Sequence, residues 1–63
     1  MRRRKASEIF SSGDFTFAFF RWNRDGTVTI TLCGKRGKRC RFKARRGPGG
    51  KLVVLEDQEV EWG

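Results

Sequence analysis

Every second residue from position 39 to 45 is a cation: Arg39, Arg41, Lys43 and Arg45. Phe15, Phe17 and Phe19 alternate in the same way and are followed by Arg21, while Thr27, Thr29 and Thr31 alternate further on. A period of two belongs to a β-strand, in which alternate side chains share one face. Each residue type suits a different part of a polyanion. Arginine and lysine neutralise phosphates, and arginine also forks onto a phosphate or a guanine edge. Threonine hydroxyls bond phosphate or sugar oxygens. Phenyl rings stack on bases at about 1–3 kcal/mol per base, and side chains at i and i+2 stand ~7 Å apart, which matches the bases of a stretched single strand.

These residues act together only if the strands pair in the right register, and two turns set it. Asn23-Arg24-Asp25-Gly26-Thr27 reads as a three-residue hairpin connection, a type I turn closed by glycine in the left-handed region. It places Trp22 opposite Val28, Phe20 opposite Ile30 and Ala18 opposite Leu32. Gly34-Lys35-Arg36-Gly37-Lys38 has the same layout and pairs Leu32 with Cys40, Ile30 with Phe42 and Val28 with Ala44. The two turns are independent, yet they sort the residues into the same two faces, which supports the register. The even-numbered face (Ala18, Phe20, Trp22, Val28, Ile30, Leu32, Cys40, Phe42, Ala44) carries no charge and is the expected core. The odd-numbered face carries the phenylalanines, threonines and cations.

Net charge agrees with that assignment. Fifteen Lys and Arg stand against seven Asp and Glu, a formal +8, and such a field attracts polyanions. The distribution is uneven. Every cation lies at or before Lys51, and four of the acids (Glu56, Asp57, Glu59, Glu61) lie beyond it. That acidic end is a candidate cover for the basic face, competing there with a ligand.

Other chemistry finds little support. With no histidine or tyrosine, acid–base work would fall to carboxylates or lysines, which show no partner pattern. The chain is therefore expected not to be an enzyme and to carry no cofactor. Cys33 and Cys40 alone leave zinc short of ligands, and the register points their thiols to opposite faces, away from a disulfide. No apolar run is long enough to span a bilayer. The basic start lacks the apolar stretch of a secretory signal, so a cytoplasmic location is expected, nucleoid association included.

Sixty-three residues make a single small domain, one that hides only ~60% of the surface its unfolded chain exposes. Residues 1–13 read as a basic arm with a short helical turn, stopped by Ser11-Ser12-Gly13. Residues 14–63 read as the β domain. Gly47-Pro48-Gly49-Gly50 makes a loop. Residues 51–55 form a strand apolar on both faces, hence expected to be covered on both. Val60 and Trp62 suit a short last strand closing the open side. The fold class is mainly β, a strongly bent antiparallel meander of four or five strands approaching a barrel.

The reading that follows is a small basic nucleic-acid-binding protein, for DNA or RNA, mainly electrostatic and weakly sequence-specific. Its site is Arg39, Arg41, Lys43, Arg45, Phe15, Phe17, Phe19, Arg21, Thr29 and Thr31, with Lys35, Arg36, Lys38 and the Arg2–Lys5 arm extending the positive rim. Two competing readings concern the phenylalanines. Ile9 and Phe10 can cover Phe17 and Phe19 as a second core, or a homodimer can form through the column. The alternative function is a protein-interaction module with no nucleic-acid role, whose partner is an acidic protein surface.

Overall fold

The computed structural model describes residues 3–62. Arg2, counted above in the basic arm, lies outside them. The elements in chain order are β1 (Arg3–Lys5), helix α1 (Ala6–Ser12), β2 (Phe17–Trp22), β3 (Thr27–Cys33), β4 (Arg39–Arg46), β5 (Leu52–Asp57) and β6 (Glu59–Glu61). Strands β2-β3-β4-β5 form one antiparallel meander, and β1 pairs with β6 in a separate two-stranded sheet. Among the described residues the meander is open, since β2 pairs only with β3 and β5 only with β4.

Every pair expected from the two turns is present, from Phe17 opposite Cys33 to Trp22 opposite Val28, and from Val28 opposite Ala44 to Cys33 opposite Arg39. The first turn has the expected form, with Gly26 at φ 87° and the Asn23 N–H bonded to the Thr27 carbonyl at 2.8 Å. The second differs in type. Arg36 as well as Gly37 is left-handed, at φ 59° and 74°, and the Lys38 N–H bonds the Lys35 carbonyl. Its length is nevertheless the same, and length is what sets the register.

The core assembles on the even face, with Val28, Ile30, Leu32, Cys40, Phe42 and Ala44 buried beneath Ala6, Ile9 and Trp62. Leu32 faces Cys40 and Cys33 faces Arg39, so the two thiols lie on opposite sides of the sheet. Burial pushes the Cys40 thiol above its ordinary pKa and keeps it protonated at neutral pH.

Four expectations need correction. The segment read as an arm is a strand and a helix built into the fold, since β1 pairs with β6 and α1 contributes Ala6 and Ile9 to the core. Ile9 and Phe10 cover the even face rather than Phe17 and Phe19: the Phe10 ring meets Phe42 at 5.6 Å and Phe20 at 6.0 Å. Phe20 and Trp22 lie on the core side, yet remain 53% and 62% exposed. Leu52, Val54 and Leu55 of β5 are exposed as well. The openness follows from the short helix. Seven helical residues extend only ~10 Å, while four strands are ~14 Å across and ~20–25 Å long. Of the meander's strands the helix packs chiefly over β4 and β5, and the β2 aromatics stay half uncovered.

The helix is capped from a distance. Gly13, at φ 76°, ends it by donating to the Ile9 and Phe10 carbonyls. At the other end no neighbouring side chain caps it. Instead the Ala6 N–H donates to the Gln58 carbonyl, and the Ser7 N–H and hydroxyl donate to the Asp57 carboxylate. Asp57→Ala should therefore cost about 1 kcal/mol, the usual loss of an N-cap. Urea unfolding measures it, and a midpoint unchanged from the parent would show the cap idle.

Candidate nucleic-acid interface

Pairing across β2, β3 and β4 turns the three columns into rows: Phe17–Cys33–Arg39, Phe19–Thr31–Arg41 and Arg21–Thr29–Lys43, the last continuing to Glu56 on β5. A fourth joins Thr27, Arg45 and Val53. Two rows thus run from an aromatic through a small side chain to an arginine, over a width of ~10 Å. Phe17 and Phe19 are 53% and 51% exposed. Arg21, Arg39, Arg41 and Arg45 are exposed, while Lys43, Thr29 and Thr31 are partly so. None of these cations forms an ion pair with another described residue.

The two rings are not independent platforms. Phe17 and Phe19 pack edge to face with centroids 4.6 Å apart, a favourable aromatic geometry that leaves no gap for a base between them. They act as one ledge on which a base stacks from outside. Phe15 is not part of it. It precedes β2, and its ring stacks on Phe10 at 6.0 Å, beside the core. The period of two fails there because the chain has yet to enter the strand.

The threonine column also divides. The Thr27 hydroxyl donates to Asp25 at 2.6 Å, and the Asn23 side-chain amide donates to the Thr27 and Thr29 hydroxyl oxygens. Thr27 is buried and belongs to the turn. Thr29 and Thr31 are the hydroxyls left to the face. Beside them a shallow depression of about 450 Å³ opens at the bulge between β4 and β5, lined by Thr29, Arg41, Phe42, Lys43, Glu56, Asp57 and Gln58. There the Gln58 side-chain carbonyl accepts the Arg41 N–H at 3.0 Å.

The acidic end does not cover the basic face. Glu61 and Glu59 stand opposite Arg3 and Lys5 in the β1–β6 pair, and Glu59 bonds Arg3 at 3.2 Å. Asp57 caps the helix, and Glu56 alone joins the rows, against Lys43. The acids thus compensate chiefly the first strand, and among the described residues the odd-face cations form no ion pair, Lys43 alone having an acid across from it. Lys35, Arg36 and Lys38 stand at the β3–β4 turn, next to the Phe17–Cys33–Arg39 row.

Two acids tie the frame of this site. Hydrogen bonds from Arg4, at 2.8 Å, and from Ser12 hold the Asp14 carboxyl below its ordinary pKa of 3.8. The Thr27 hydroxyl and N–H do the same for Asp25. Lowered folded values mean that this stabilisation is fully present above pH 3.8 and is lost as pH falls through the folded values. The difference in thermal midpoint between the parent and an Asp14→Asn, Asp25→Asn double variant should therefore stay constant between about pH 6 and 5 and shrink near pH 3. An equal fall in parent and variant would contradict the assignment.

No family model, curated protein or solved structure matches the chain. The residues that sequence reasoning missed are Trp62, whose ring is buried against Gly34, and the exposed Phe20 and Trp22. Alternation of Val60 and Trp62 signalled a strand but not where the indole would go.

Proposed function

We propose that the protein binds nucleic acid across the odd face of the meander, with a preference for unpaired strands. One observation carries the reading: an exposed aromatic ledge on β2 stands across the hydroxyls of β3 from a column of β4 cations that form no ion pair with a described residue. Arg39, Arg41, Lys43 and Arg45 track the phosphates, and Phe17 and Phe19 receive a base that only an unpaired strand presents. The rows contain no rigid set of base-edge partners, so discrimination among sequences is weak. A cytoplasmic, nucleoid-associated place in the cell suits such a ligand.

The test is a competition among single- and double-stranded DNA and RNA at two salt concentrations, with Phe17→Ala beside the parent. The variant should keep its thermal midpoint and lose single-strand affinity by about 1–3 kcal/mol, roughly 5- to 150-fold. Unchanged single-strand affinity would remove the aromatic ledge from the reading.

A second reading, of a different class, rests on Phe20 and Trp22 of β2 and Leu52 and Val54 of β5, exposed apolar side chains on the even face at the two edges of the meander. Arg46 is the one cation of the meander's strands on that side, so two copies of a +8 chain meet there with least repulsion. Such a dimer turns both basic faces outward. Sedimentation that stays monomeric at high concentration, in the parent as in Trp22→Ser, would dismiss it.

A further inference from the structure

At the end of the sheet, beyond the Phe17–Cys33–Arg39 row, a cleft of about 700 Å³ opens between the β3–β4 turn and the segment after α1. Lys35, Arg36 and Lys38 stand on one wall, Arg4 on the other, and Phe15 and Trp62 contribute aromatic surface. The charge inside is one-sided. Asp14, the acid of the lining, is bonded to Arg4 at 2.8 Å, whereas the three turn cations pair with no described residue. Arg36 also holds φ 59°, a left-handed conformation that glycine or asparagine adopts more cheaply. Residues kept in such regions cluster where a ligand is held. The volume falls within the range of small-molecule sites, and the combination of flat apolar surface with converging cations fits a base attached to a phosphate.

We propose that this cleft binds a phosphorylated nucleotide, presented as the end of a strand that crosses the odd face. The inference rests on the nucleic-acid reading for the strand, but the cleft can be tested separately. Lys35, Arg36 and Lys38 take the phosphate, and the base lies against Phe15 and the edge of Trp62. The adjoining row, Phe17–Cys33–Arg39, receives the next nucleotide.

Trp22→Phe leaves Trp62 as the sole tryptophan, so emission reports on the cleft. Short unlabelled single strands bearing a 5′ phosphate, a 3′ phosphate or neither are titrated into this protein, alongside a nucleoside 5′-monophosphate. One terminal phosphate should tighten binding about tenfold, as one charge-assisted contact does. Lys35→Gln with Lys38→Gln should abolish that gain, so that strands with and without a terminal phosphate bind equally, both more weakly than to the parent because two rim cations are gone. Strand binding with no gain from either phosphate, or a gain that survives the double variant, overturns the cleft and leaves the face standing. Quenching by the mononucleotide alone, lost in the double variant and with no strand bound, supports the cleft and overturns the face.

Discussion

Alanine at Arg41 and Lys43 together should weaken binding to every sequence tested, by on the order of a hundredfold at moderate salt, since two charge-assisted contacts are lost. The plot of log K against log salt should become shallower by about 1.4–1.8, the release of two counterions from single or double strands. The expectation is specific because these side chains carry no structural bond: neither is in an ion pair with a described residue, and the sheet hydrogen bonds come from their backbones. The thermal midpoint should hardly move. Lys51→Ala, in the loop before β5 and outside the odd-face rows, is the control and should change the slope far less. An unchanged slope in the double variant would remove the odd face as the ligand surface, whatever else binds.

The largest effect on stability should come from Trp62→Ala. The indole is 8% exposed, its Nε1–H donates to the Asp14 carbonyl at 2.6 Å, and Gly34 lies so close that an added Cβ would stand 2.6 Å from the ring. Truncating a buried tryptophan costs about 3–5 kcal/mol. A chain of this length has only ~3–9 kcal/mol in total, so the variant should be largely unfolded, as a collapsed amide spectrum would show. Gly34→Ala approaches the same contact from the other side and should destabilise without removing any apolar group. Removing residues 56–63 should likewise unfold the chain rather than free the basic face, because it takes Trp62, the Asp57 cap and β6 together. A Trp62→Ala protein melting within a few degrees of the parent would contradict this account of the core.

The meander was legible because it is specified twice, once by each turn and once by the alternation of apolar and polar side chains. Whether a face is covered is a different question, and alternation does not answer it. Phe20 and Trp22 point to the core side as their parity requires, yet a seven-residue helix is too short to reach across them. Phe15 has the parity of Phe17, but parity has meaning only inside a strand. The destination of Trp62 depends on a contact with Gly34, twenty-eight positions earlier, and no local pattern encodes such a pair. The cation row needed only β4 and its turn, which is why it was the most legible part of the candidate site. The cleft draws on residues from Arg4 to Trp62, and no single stretch of sequence announces it.

The pairing of β1 with β6 has a consequence for the order of events as the chain folds. Strands β2, β3 and β4 join through short turns and can assemble from neighbours, at low cost in loop entropy. Arg3 and Glu61 close a loop of nearly the whole chain, and the helix cap, β6 and Trp62 all come from its last stretch. During synthesis, at ~5–20 residues per second, the sheet with its charged face can exist before the helix has anything to cap it. The nascent hairpins already display the cations, whereas the apolar face gains its Trp62 cover only when residue 62 is free of the ribosome.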